Sequence, residues 1–277
     1  MPATGNKSLN MQSLSIRVAA DGFSFFVCDS QVTSLIRGQH FRLPEGENLA
    51  EKLRHELGKS DYFHRGIDQV FVVMCTPSTR LPLEAFRRDE AAALYDFTFS
   101  ATSQTPHRVS YNILPQLEVV ELFAVPVDVE EAILQYYPMA RFFGQRAMLL
   151  ERLLHYEETT SATASRLYLF QESARQLTLI SFAEGHLHFA NTFSFESPTD
   201  ALYYVLAVWR QLEFDAQTDE LMLLNSSDAN QEAFRSQLMQ YILRVTTLTP
   251  SDLFPRVSLA GEKEIPLDLM ALLLNRI

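Results

Sequence analysis

The sequence predicts an α/β fold made by duplication: two lobes, each built on a mixed five-stranded sheet. Residues 13–75 read as strand, turn, strand, turn, strand, helix, strand, and residues 166–224 read in the same order. The copies lie much farther apart than solenoid repeats do, which indicates a doubled supersecondary unit and not a repeat array. The 277 residues also suffice for two lobes of ordinary size, each with its own core. Residues 1–10 are expected to be a disordered tail, 11–160 the first lobe with inserted elements, and 161–277 the second lobe.

In the first copy, Leu14, Ile16 and Val18 alternate with polar residues, as in a strand with one buried face. Asp21-Gly22 marks a tight hairpin turn, because Asp-Gly tolerates positive φ. Phe23 to Cys28 returns, and Leu35 to Leu43 forms a less regular third strand. Leu49, Leu53 and Leu57 make a helix stripe, and the apolar run Val70 to Cys75 suits a central strand covered on both faces.

In the second copy, Leu167–Phe170, Leu177–Phe182 and Leu187–Phe195 are the strands, with Glu184-Gly185 as the second turn. The following helix has strong start signals. Ser197 caps it, Pro198 takes the first helical position, and Asp200 completes a capping box. Leu202, Val205, Leu206, Trp209 and Leu212 then share a face, and Leu221–Leu224 is the matching buried strand.

Between the copies, Pro82 to Tyr95 reads as helical, and Val109–Ile113 and Leu117–Val125 as strands broken at Pro115. Asp128, with Glu131 three residues on, is expected to cap a short helix. Arg141–Phe143 reads as a strand, and Met148, Leu149 and Leu153 as one side of a helix. Ser161–Ser165 is expected to link the lobes, and Leu267–Leu274 to be a very apolar last helix that forms core or, as the alternative, a dimer surface.

Three antiparallel strands followed by a helix and a returning parallel strand form a ribonuclease-H-like unit, and two in tandem make the actin-like architecture. The run Phe123-Ala124-Val125-Pro126 before the Asp128 helix resembles the actin-like ATPases of bacterial cell division and pilus assembly. A second resemblance rests on the segment Leu14–Phe26, with Asp21-Gly22-Phe23-Ser24-Phe25, and on Ile265-Pro266-Leu267-Asp268. In these the chain is similar, over roughly residues 13–275, to a bacterial family of unknown function with an actin-like ATPase fold. That family implies a fold and no accepted catalytic residues.

The actin-like resemblance implies where ATP would be gripped. Active members offer one hairpin per lobe with the pattern Asp-x-Gly-Thr/Ser: the Asp positions Mg²⁺, the Gly admits the phosphates, and hydroxyls bond their oxygens. With Gly22 as that glycine, the metal-positioning place falls on Ala20, which has no ligand atom, and Asp21 is displaced by one residue. The second-lobe turn, Gln171-Glu172-Ser173-Ala174-Arg175, has no glycine, although Arg175 can neutralise a phosphate. The adenosine place, Leu224-Asn225-Ser226-Ser227-Asp228, also lacks glycine. The nucleotide-cleft positions, all degenerate, are therefore Asp21, Gly22, Ser24, Arg175, Asn225 and Ser226. No cofactor is expected; the alternative is ATP with Mg²⁺.

Composition narrows the partners. A formal net charge of −11 with no Lys/Arg run opposes nucleic-acid binding. Met1–Asn10 lacks an apolar signal core, and the longest apolar run, Ala201–Trp209, is far short of the ~20 residues a membrane span needs. A cytoplasmic chain follows as the expectation, with Cys28 and Cys75 as free buried thiols. Gly5-Asn6-Lys7-Ser8 lacks the upstream glycine and strand of a P-loop, and no Gly-x-Ser-x-Gly elbow occurs. His186 and His188 share a strand face without a recognisable third ligand, and Glu118 and Glu121 read as exposed charges on opposite faces of a strand. The expected function is a non-catalytic actin-like module that holds an unidentified protein partner or a second copy of itself. The alternative is an ATPase or small-molecule kinase of the same superfamily.

Overall fold

The structure is a computed structural model that describes residues 12–29, 34–59, 67–99, 105–160, 164–173, 175–224, 229–255 and 266–274. Residues 1–10 with their Gly5–Ser8 segment, the Ser161–Thr163 part of the expected linker, and Asn225 and Ser226 lie outside the described residues. The chain divides into two compact units: Met1–Leu150 with Val257–Ile277, and Glu151–Arg256.

The first unit opens with β1 (Gln12–Ala19), β2 (Gly22–Asp29), β3 (Ser34–Arg42), α1 (Leu49–Lys59) and β4 (Ile67–Met74). It continues with β5 (Ser78–Pro82), α2 (Ala91–Phe99), β6 (His107–Leu114), β7 (Val119–Pro126), α3 (Val127–Leu134) and β8 (Arg141–Gly144). The main sheet runs β3-β2-β1-β4-β8, with β1, β4 and β8 mutually parallel. Leu14, Ile16 and Val18 of β1, Phe23 and Phe25 of β2, and Val70, Val72 and Met74 of β4 face one core, covered by Leu53 and Leu57 of α1 and Val129 and Ile133 of α3. A smaller sheet, β5-β7-β6, carries its own core under α2, centred on Tyr95, Val120 and Leu122.

The division falls inside α4 (Ala147–Thr159). The second unit holds β9 (Arg166–Ser173), β10 (Gln176–Ala183), β11 (His186–Ser194), α5 (Pro198–Gln211), β12 (Glu220–Leu224), α6 (Ala229–Leu238), β13 (Arg244–Leu248) and α7 (Pro250–Leu253). Its sheet, β11-β10-β9-β12-β13, repeats the strand order of the first, and its core is Leu167, Leu169, Leu177, Leu179, Val205 and Leu221 with Trp209. The duplication predicted from the sequence is thus present strand for strand.

The last helix, α8 (Leu267–Leu274), counts with the first unit, whereas the sequence reading placed 161–277 together. Its partner there is β1. Ser13 and Ser15, read as the solvent side of that strand, are 5% and 0% exposed, so β1 is covered on both faces. Small side chains let a helix approach a sheet closely, and α8 supplies the apolar surface they lack.

Several local expectations are corrected. Ser78–Pro82 is a strand, and helix begins only at Ala91, because Pro82 ends β5 and leads into a short 3₁₀ turn over Leu83–Ala85. Asp128 does not cap α3: Pro126 holds the cap place, and Asp128 sits in the first turn accepting the Val129 N–H at 2.9 Å. The turn between β1 and β2 is Ala20-Asp21, with Gly22 the first residue of β2, whereas Glu184 and Gly185 (φ 52° and 80°) form the expected positive-φ hairpin. Cys28 is buried, its thiol pushed up to about 11 by burial, while Cys75 is only half-buried.

The α5 start is as predicted, with both halves of the capping box formed between Ser197 and Asp200. Hydrogen bonds from Ser197, side chain first and then backbone, hold the Asp200 carboxyl below its ordinary value. A lowered carboxyl favours the fold above the ordinary carboxylate range and loses that contribution as pH falls through the lowered value. Ser197→Ala should cost about 1 kcal/mol in urea unfolding and move the Asp200 titration, followed by carbon-13 NMR, upward toward the ordinary range, the backbone donors of residues 196 and 197 remaining.

Candidate functional site

In the first unit, Asp21, Gly22 and Ser24 lie together on the β1–β2 hairpin. Asp21 is exposed, and its carbonyl accepts the Leu43 N–H at 2.8 Å. Gly22 has φ +146°, and a Cβ added there would stand 2.1 Å from the Phe41 carbonyl oxygen of β3. The close approach that this glycine permits is made by its own chain. Ser24 is buried, and its hydroxyl lies 2.7 Å from His40 Nδ1, directly across the β2–β3 pair. In the second unit Arg175 is exposed in the β9–β10 turn, where its N–H donates to Ser173 Oγ at 3.3 Å and its carbonyl accepts the Phe195 N–H.

Open α/β sheets bind ligands outside the carboxyl ends of their parallel strands. In the first unit that end belongs to β1, β4 and β8, and three polar side chains converge on it. Arg17 stands near the end of β1, across from Ser24 on β2 and Val73 on β4. Gln145 directly follows β8, its N–H donating to the Met74 carbonyl at 3.1 Å. Asp268 lies in the first turn of α8. Arg17 Nε and Gln145 Nε2 each donate to Asp268 Oδ2 at 2.9 Å. Burial alone would depress the Arg17 guanidinium, but Asp268, with Cys75 and Asp21 adding to it, outweighs that and holds it above its ordinary value.

A second buried polar group lies on β7. Glu121, expected to be an exposed strand charge, is 0% exposed. Its Oε1 accepts Ser78 Oγ at 2.7 Å and Arg80 Nη1 at 3.2 Å, and Arg146 Nη1 donates to Ser78 Oγ at 2.6 Å. Glu118 is exposed, in the left-handed region at φ 54°. His186 and His188 are both exposed on β11, and no group of three or more metal-capable side chains occurs among the described residues.

Sequence reasoning missed Arg17, Gln145, Asp268 and the burial of Glu121. Two signals were present. Arg17 is a lone charge following Ser13 and Ser15 on one face of β1, and Asp268 interrupts the otherwise apolar run Leu267–Leu274.

The family model described as "Protein of unknown function (DUF3822)" matches residues 4–245. The chain belongs to that family. Its structure is similar to a protein from Bacteroides thetaiotaomicron described as having an actin-like ATPase fold and unknown function. The two are 25% identical over 95% of this chain and 96% of that one, with a TM-score of 0.78. This DUF3822 chain therefore has the actin-like ATPase fold. It is also similar in fold to a chain of the PilM-PilN type IV pilus biogenesis complex, at 12% identity over 95% of this chain and 99% of that one, TM-score 0.51. The cytoplasmic domain of EpsL, from the type II secretion system of Vibrio cholerae, matches at 11% identity over 94% and 92% of the chains, TM-score 0.43. No curated protein matches the chain. Among the described residues, no helix is long and apolar enough to cross a membrane.

Proposed function

We propose that this DUF3822 protein is a non-catalytic actin-like module, a pseudo-ATPase that acts in the cytoplasm by holding a protein partner or a second copy of itself. One observation carries the reading: the carboxyl end of the first unit's parallel strands is taken up by the chain's own Arg17–Asp268–Gln145 contact. The hairpin chemistry agrees with it. Ala20 offers Mg²⁺ no ligand atom, the space Gly22 leaves is used by Phe41, and the Ser24 hydroxyl is engaged by His40. These residues do not fit a triphosphate with its metal, so no catalytic step is assigned. A chain of this fold in the PilM-PilN complex supports a partner-holding role.

Melting curves of the full chain in a titration of ATP with Mg²⁺ test the proposal. A ligand that binds the native state raises its melting temperature by mass action. No shift is expected at millimolar ATP. A saturable, Mg²⁺-dependent rise would show that a nucleotide site is retained and would favour the ATPase or small-molecule kinase alternative, which turnover assays then decide.

A further inference from the structure

Asp268 makes an unusual set of contacts for a residue in an apolar helix. Leu267, Leu269, Met270, Ala271 and Leu272 of α8 are all buried, and Asp268 itself is 1% exposed. Apolar residues in place of the whole group would dock such a helix at least as well, because replacing a buried ion pair by hydrophobic side chains is often neutral or stabilising. Asp268 Oδ2 instead receives two donors, the Arg17 guanidinium and the Gln145 amide, both at 2.9 Å. Oδ1 accepts the Leu269 N–H at 2.7 Å. A guanidinium and an amide aimed at a single oxygen are the donors an oxyanion meets in a binding site. They come from β1 and from the residue after β8, elements positioned by the sheet and independent of α8. Gln145 is 4% exposed, and its backbone is tied to β4 through the Met74 carbonyl.

We propose that Arg17 and Gln145 form an anion-binding pair at the carboxyl ends of β1, β4 and β8, and that Asp268 is its built-in occupant, excluding phosphate or carboxylate ligands while α8 is docked. This deepens the non-catalytic reading, on which it rests: it names what fills the anion position and what class of ligand the filling keeps out.

Removing the carboxylate should open the pair to small oxyanions. Melting temperatures are compared for wild type, Asp268→Ala and the double variant Arg17→Met/Asp268→Ala, each titrated with sodium acetate or inorganic phosphate at constant ionic strength. Asp268→Ala is expected to melt below wild type and to recover in a saturable manner, by about 3–6 °C at ten times the dissociation constant. Acetate and phosphate in separate arms distinguish a carboxylate from a phosphate preference. Wild type and the double variant should stay unmoved. A flat response of Asp268→Ala, or an equal rise in all three proteins, overturns the proposal. Should Asp268→Ala fail to fold, Asp268→Ser keeps a hydroxyl to accept the Leu269 N–H and goes through the same comparison. ATP binding by wild type would overturn the non-catalytic reading and leave this comparison intact. A flat variant would remove the anion pair and leave that reading in place.

Discussion

Glu121→Ala is expected to lower the melting temperature by roughly 6–20 °C, a loss of about 3–5 kcal/mol. The carboxylate is fully buried on β7, where it receives Ser78 Oγ at 2.7 Å and Arg80 Nη1 at 3.2 Å. Removing it strips the Arg80 side chain, only 12% exposed, of this ion pair and leaves a void beside it. Deleting one side of a largely buried pair is costly, whereas replacing both partners together costs less. Glu121→Gln, which keeps an acceptor and the volume, should therefore cost less than Glu121→Ala. The pair Glu121→Leu with Arg80→Met should recover most of the loss. Additive damage in that double variant would show that Glu121 acts through something other than its pairing. Packing on the other side is equally tight: a Cβ at Gly144 of β8 would stand 2.6 Å from Glu121 Oε2. The carboxylate thus packs the small sheet closely against the main one within the first unit.

Gly22→Ala is the second large effect, about 3 kcal/mol or more, read as a loss of roughly 6–12 °C. Two costs add. The residue has φ +146°, a region that L side chains rarely adopt, and the new Cβ would meet the Phe41 carbonyl oxygen at 2.1 Å and Arg42 Cα at 3.1 Å. Both neighbours are backbone of β3, so no rotamer change relieves the contact. Either β3 moves away from β2 or Gly22 abandons its ladder place opposite Ala19 and Arg42. Hydrogen exchange should report the result as faster exchange along β3 and the β1–β2 hairpin, with the second unit unchanged. Full stability of Gly22→Ala would mean that the hairpin relaxes freely and that its glycine serves some other purpose.

Gly22 also shows how much of this molecule was readable beforehand. Its importance was visible from Asp-Gly, but the reason was not. A glycine that admits a phosphate and one that admits a neighbouring carbonyl look the same in sequence, because both express only the need for a missing side chain. The duplicated strand order was legible because strand periodicity, turn residues and the Ser197-Pro198-Asp200 start are local signals, and both sheets formed as those signals required. Long-range facts were not local and stayed hidden. Nothing near Ser13 and Ser15 announces that a helix from the far end of the chain will cover them. A lone Glu121 on a strand looks solvated until Ser78 and Arg80 are placed beside it by β5–β7 pairing. The Asp128 reading failed for a local reason, since Pro126 took the cap position two residues earlier. The hairpin that carries Asp21, Gly22 and Ser24 was legible as a turn between two strands. The Arg17–Asp268 and Gln145–Asp268 contacts join residues 251 and 123 positions apart, separations no motif spans.

Calorimetric titration of the full chain with ATP in excess Mg²⁺ tests the proposed loss of the triphosphate grip most directly. Ala20, the Phe41 carbonyl against Gly22 and the occupied Arg17 together predict no saturable heat up to millimolar nucleotide. A one-site isotherm with a micromolar dissociation constant, abolished by chelating the metal, would contradict it.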